Sequence, residues 1–291
     1  MRGRPVSTAE VAAARERMPG AFGPPPAVRL GRTVVAIGFA GLFGYCLWAL
    51  GFGPARICEG LLRLVGVLRF MFPPAFWTER QPWAEALQAL GETVAMAFLG
   101  TLIGAAVAFL LALLGARNVT RWTLSRFVAR RGFDAVRSLE QVVLALIFVR
   151  AFGLGPLPGI MAIAAMEVGL LAKLFAEALE NATPGPADGI RAAGGSGAQV
   201  VRYGLLPQVA PVMLSTVLYE FESNTRSSTI LGVVGAGGIG GLIFDRIGAN
   251  AWPDVWTLIF LVMASVYLID RLSTRLRHSI GDGWDEASRA R

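Results

Sequence analysis

Between Phe221 and Gly232 the sequence gathers Glu222, Asn224, Arg226, Ser227, Ser228 and Thr229. That set suits an oxyanion, because a guanidinium offers a planar fork of donors and the hydroxyls and amide add neutral ones. The plainer reading is an ion pair between Arg226 and Glu222, four residues apart on one helix face, that holds a bend together. Both readings can hold. Immediately after comes Gly-Ala-Gly-Gly-Ile-Gly at 235–240. It spells GxGxxG, yet a dinucleotide site needs a βαβ unit around the motif and an acid about 20 residues on. Neither is present. Gly235, Gly237, Gly238 and Gly240 therefore read as backbone that packs closely or runs irregularly where it lines a cavity.

Other chemistry is excluded by what the chain lacks. Of 27 basic residues only Lys173 is a lysine, and it is followed by Leu174 with no glycine frame before it, so no phosphate-binding loop is encoded. The single histidine, His278, lies in a polar tail, which rules out metal sites built on paired histidines. Cys46 and Cys58 are too far apart along a helix to bridge and read as apolar fillers. No catalytic, cofactor or metal residues are expected.

These residues must be positioned by a membrane bundle. The 291 residues are 54% hydrophobic and only 16% charged, with a mean hydropathy of +0.56. Soluble domains carry about a quarter charged residues. Apolar runs recur at about Val34–Phe52, Ala86–Leu114, Leu139–Phe152, Ile160–Ala178, from Val209, and Val255–Ile269. This pattern predicts an all-α integral membrane fold with about six transmembrane helices. Residues 1–33 read as a tail, 34–84 as the first span plus an interfacial helix, 85–270 as the main transmembrane domain, and 271–291 as a second tail. In the interfacial helix Ile57, Leu61, Leu64, Val65, Leu68 and Phe72 share one face and Arg56, Glu59 and Arg63 the other.

The formal charge of +7 suits this topology better than it suits nucleic acid. With the N-terminus inside, 19 basic residues fall on the cytoplasmic side and 6, Arg226 among them, on the other. Both termini are then cytoplasmic, and residues 117–137 form a basic cytoplasmic loop. The sides follow from the arginines.

The loop at about 181–208 is patterned. Pro184, Gly185 and Pro186 make a break, Asp188–Ala193 reads as a short helix, and Gly194–Gly197 as a turn. Ala198–Leu205 reads as a second helix closed by Pro207. Asp188, Gly189, Ala193, Gly194, Leu206 and Pro207 stand at a spacing that resembles the coupling loop of ABC-transporter membrane subunits. The chain departs from that pattern at Asp188, where Glu is usual, and Gly189, where Ala is usual.

Together with Leu146–Pro156, Leu171–Glu180 and the run from Glu222 to Gly240, this loop resembles phosphonate ABC-transporter permeases over about residues 85–270. That family usually has His and Thr where this chain has Met166 and Glu167, and Pro and Trp where it has Glu140 and Leu144. The resemblance implies a type I importer permease fold, located in a bacterial inner membrane. It implies two ATP-binding cassette subunits docked on the loop, a second permease chain, and an extracytoplasmic phosphonate-binding protein. It further implies that Glu222, Asn224, Arg226, Ser227, Ser228, Thr229 and the four glycines line a path for phosphonate, phosphite or phosphate. ATP hydrolysis then belongs to a partner.

Glu167 falls near the middle of the fourth span, where an ionised carboxylate costs a few kcal/mol unless paired or wet. The reading is structural: a partner in another subunit, or a protonated acid. Glu92, one turn inside Gln88, reads as a satisfied acid at a span end. Two alternatives stand beside the oxyanion reading: an ABC permease for another small solute, and an ion-coupled secondary transporter using Glu167 and residues 223–240.

Overall fold

The computed structural model describes residues 26–72, 74–120 and 122–289, and every regular element among them is helical. The tail expected over residues 1–33 lies mostly outside the described residues. These fall into two compact units divided between Arg69 and Phe70, and each is described by itself.

The first unit holds α1 (Pro26–Ala49) and most of α2 (Pro54–Met71). Helix α1 begins before the expected Val34 and ends before Phe52, with Gly51 turning the chain at φ 65°. Helix α2 buries none of its side chains, and on its polar face Arg63 and Glu59 pair at 2.6 Å.

The second unit is built on α3 (Arg80–Gly115), α5 (Gln141–Phe152), α6 (Pro156–Glu180), α9 (Leu206–Leu231), α10 (Gly238–Gly248) and α11 (Trp252–Arg289). Shorter helices α4 (Thr123–Arg137), α7 (Pro184–Ala192) and α8 (Gly197–Gln199) connect them. Five helical stretches are long and apolar enough to cross a membrane, the first in α1 and the last ending at Arg277. The expected third crossing is α5, whose 12 residues reach about 18 Å and fall short of a ~30 Å hydrocarbon layer. The described residues thus hold five helical stretches of spanning length and one short apolar helix.

The core is the seam between α3 and α6. Helix α3 turns Thr93, Met96, Gly100, Thr101, Gly104, Ala105, Ala108 and Ala112 inward, a stripe of mostly small residues at helical spacing. On its exposed side lie Leu99, Leu102, Ile103, Leu110 and Leu114. In lipid no hydrophobic force drives helices together, so dispersion across a close interface has to. The approach at Gly100 requires glycine, since a Cβ there would lie 2.6 Å from Ile163 Cβ.

Three expected loops and breaks are helical. The basic stretch 117–137 contains α4, held on α6 by Arg130 and Glu180 at 2.6 Å and Lys173 and Asp134 at 2.9 Å. Lys173, the chain's one lysine, is one half of that second pair. Pro184 and Pro186 begin α7 instead of breaking the chain, because the first turn has no hydrogen bond for proline to remove. Pro207 does not close a helix either: α8 continues through the π-helical residues Val200–Leu205 into α9. The wider π turn accommodates the proline ring and its missing donor.

Candidate functional site

Helix α9 does not stop at Glu222, where the apolar run thins; it continues as regular helix to Leu231. This corrects the expected position of the polar run. Asn224, Thr225 and Ser228 are buried inside the bundle. Helix geometry allows it because each hydroxyl can bond to the carbonyl one turn back, as Thr225 does to Phe221 at 2.9 Å and Ser228 to Asn224 at 2.7 Å.

Three helices meet in a polar layer. Asn224 Nδ2 on α9 donates to Glu167 Oε1 on α6 at 2.7 Å and to Thr101 Oγ1 on α3 at 3.0 Å. All three residues are at most 5% exposed. Glu167 thus has a partner in its own chain, and among the described residues its Oε2 has none. Gly104 makes room for the carboxylate stem, since a Cβ there would overlap Glu167 Cβ. Glu92 accepts from Gln88 at 3.3 Å, as a span-end acid should.

Beside this layer, Glu222 holds two arginines. Arg226 Nη1 lies 3.1 Å from Oε1 and Arg277 Nη2 lies 3.5 Å from Oε2. The charge count put Arg226 and Arg277 on opposite sides of the membrane, yet one buried carboxylate binds both. That assignment fails for at least one of them, because α9 and α11 both extend well past the apolar runs used to draw the boundaries. The Glu222 side chain is 9% exposed and that of Arg226 50%. One of the five guanidinium donors of Arg226 is used among the described residues, leaving the rest open. Ser227 and Thr229 are half-buried, and Thr229 Oγ1 has no partner among the described residues.

The glycine segment is a packed hairpin joining α9 to α10. Gly235, Gly237 and Gly238 have φ of 101°, 77° and 68°, in the left-handed region that favours glycine. A Cβ on Gly240 would overlap the Thr229 carbonyl oxygen, so α10 folds back directly onto the end of α9. Buried Thr93 Oγ1 accepts from Ile239 N at 2.9 Å and satisfies one donor of the α10 N-terminus. Gly155 N also donates to the Gly235 carbonyl at 3.1 Å, tying the α5–α6 turn to the hairpin.

The loop expected to couple to a partner is mostly helical. Asp188 and Arg191 pair at 2.7 Å on the exposed face of α7. Gly189 faces open space, Ala193 caps the helix, and Gly194 turns with φ 81°. Leu206 packs against the core and Pro207 is half-buried in the first turn of α9. Several residues with a role here were not singled out in the sequence. Ser196 and Gln199 form a capping box, which the S-x-x-Q spacing could have signalled. Gly204 lets α7 approach to where a Cβ would lie 2.9 Å from Ala187 Cα. Gln208 bonds both N and O of Thr183. The contacts of Gly204, Gln208, Thr93 and Thr101 are tertiary and left no local signal.

On α4, the Lys173 ammonium that bonds Asp134 holds the Asp134 carboxyl below its ordinary range, with Arg131 and Arg137 adding to the effect and partial desolvation opposing it.

Long apolar helices packed around an interior polar layer, with a helix–turn–helix at one end, define a multi-pass membrane protein. The family described as binding-protein-dependent transport system inner membrane component matches residues 104–281, and the chain belongs to it. It is similar to the putative phosphite transport system permease protein HtxC of Stutzerimonas stutzeri, 41% identical over 78% of this chain and 79% of that protein. It is also similar to the phosphate-import permease protein PhnE of Mycolicibacterium smegmatis, 35% identical over 84% of this chain but 46% of that longer protein. Among solved structures, the MetNI methionine ABC transporter in inward-facing conformations shares the fold, with a TM-score of 0.61 and 22% identity over 70% of this chain and 99% of that one. The protein is an ABC importer permease, a transport subunit of the membrane.

Proposed function

We propose that this permease passes phosphonate, or the related oxyanions phosphite and phosphate, into the cytoplasm. ATP hydrolysis on two separate ATP-binding subunits drives it, and the loop at 181–208 docks this chain on one of them. A second permease chain completes the path, and an extracytoplasmic phosphonate-binding protein delivers the anion. The membrane is the bacterial inner membrane, with both termini in the cytoplasm. The observation that carries the substrate class is Arg226, anchored through one donor to buried Glu222 while the rest of its fork stays open. The phosphite and phosphate systems of the relatives named above support the same class.

In this reading Ser227, Ser228 and Thr229 continue the path, and Gly235, Gly237, Gly238 and Gly240 form its hinge-like wall. Asp188, Gly189, Ala193, Gly194, Leu206 and Pro207 carry the opening and closing of the ATP-binding pair to α9. The π-helical run into α9 gives that motion a continuous helical route from loop to polar layer.

The test is ATP hydrolysis by the complete complex in lipid, with binding protein and 2-aminoethylphosphonate, phosphite or phosphate added in turn. Stimulation by at least one of them is expected. If none stimulates, the substrate class is wrong.

A further inference from the structure

At the ends of α3 and α6 a cleft of about 290 Å³ lies under α4, lined by Arg117, Arg126, Arg130, Arg131, Lys173 and Asp134. The carboxylates available do not neutralise it. Glu180 serves Arg130 at 2.6 Å and Arg117 at 3.8 Å, while Asp134 serves Lys173 at 2.9 Å and Arg131 at 3.5 Å. Arg126, half-buried in the same wall, has no carboxylate within 4.0 Å among the described residues. Two acids shared among five cations leave three positive charges and several unused N–H donors around one small space. That chemistry fits a phosphate group, which accepts several charge-assisted hydrogen bonds at once.

A second feature identifies where the phosphate comes from. Trp122, Leu124, Phe127 and Val128 are exposed at the start of α4, next to the cleft. The cleft sits near the ends of two long apolar helices, and tryptophan and basic side chains are the residue types that gather at lipid head groups. We propose that this cleft binds the phosphate of an anionic membrane phospholipid, whose acyl chains lie along Leu124, Phe127 and Val128. The bound lipid would clamp α4 onto α6 by bridging Arg126 to the cations already held there. This role is separate from that of Arg226, which lies on another helix.

The test is native mass spectrometry of the purified full chain with phosphatidylglycerol or phosphatidylcholine, each with and without millimolar inorganic phosphate. Arg126→Gln removes the unpartnered cation without breaking an ion pair, and Arg202→Gln, exposed on the π-helical run Val200–Leu205, is the control. Expected are retention of phosphatidylglycerol over phosphatidylcholine, about fivefold weaker retention in Arg126→Gln, no change in Arg202→Gln, and no displacement by phosphate. A natively monodisperse Arg126→Gln protein makes the loss a matter of binding, and Arg117→Gln gives a second reading should it aggregate. Equal retention of the two lipids, an unaffected Arg126→Gln, or displacement by inorganic phosphate would overturn the proposal. So would a crosslinker at position 126 that captures an ATP-binding subunit in place of lipid.

Discussion

Asn224 on α9 donates to Glu167 on α6 across a 2.7 Å hydrogen bond, with its second amide hydrogen on Thr101 of α3 at 3.0 Å. One side chain thereby fixes the relative height of three membrane helices. Polar contacts between transmembrane helices contribute modestly, about 0.6 kcal/mol on average and up to about 2. Asn224→Ala leaves Glu167 buried with neither oxygen bonded, so it should destabilise by about 1–2 kcal/mol and lower the thermal midpoint in detergent. Glu167→Gln keeps an acceptor for Asn224 and should stay near the parent. Equal midpoints for Asn224→Ala and the parent would show that the layer does not hold the helices.

The return of α10 onto α9 depends on the missing side chain at Gly240. Gly240→Ala places a methyl in the Thr229 carbonyl. Backbone cannot yield as a flexible side chain can, so a cost of at least about 1–3 kcal/mol and poor recovery of monodisperse protein are expected. Gly248→Ala, at the end of the same helix with open space around it, should be neutral or slightly stabilising. Size-exclusion profiles of the two variants decide the point.

Gly194 turns between α7 and α8 with φ 81°, which a β-branched residue enters only at about 1–2 kcal/mol. Gly194→Val should leave the bundle assembled while uncoupling ATP hydrolysis from uptake in proteoliposomes. Gly189→Ala, facing open space on α7, should firm that helix by up to about 1 kcal/mol and preserve transport. Full transport by Gly194→Val would remove the coupling role.

Arg226→Gln removes the half-exposed guanidinium and leaves Glu222 with Arg277. Uptake should fall at least tenfold, on the order of one lost charge-assisted hydrogen bond, while the delivery protein binds its anion as before. Unchanged uptake would leave Arg226 with the ion pair alone.

Asp134 has a depressed pKa in the folded state, so its contribution to holding α4 on α6 is complete above the ordinary carboxylate range near 4 and fades as pH falls through the folded value. Hydrogen exchange over 123–137 should therefore be flat from pH 8 to 5 after correction for intrinsic rates and rise below about 4. Asp134→Asn should exchange faster throughout and lose that acid-dependent rise. An identical profile in the two proteins would mean the Lys173 pair does not hold the helix.

The sequence by itself determined the helical membrane class, five of its long apolar helices and the short helix–turn–helix before α9. These follow from composition, run length and glycine or proline position, all local properties of the chain. It also singled out Glu222 and Arg226 as a pair, because a spacing of four is set by helix geometry alone. Only the tertiary structure decided that Asn224 meets Glu167, that Arg277 joins Arg226 on Glu222, and that Arg126, Arg130 and Arg131 belong to a helix closing a cationic cleft. Residues 55 to 123 positions apart create the first two of those contacts and the Asn224–Thr101 bond beside them, and which of them meet depends on how far each helix continues and how closely small residues let α3 and α6 approach. Hydropathy marks where polar residues begin. It does not mark where a helix ends, which is why Arg226 was counted on the outer side while Glu222–Leu231 continues α9 and turns Asn224, Thr225 and Ser228 into the bundle.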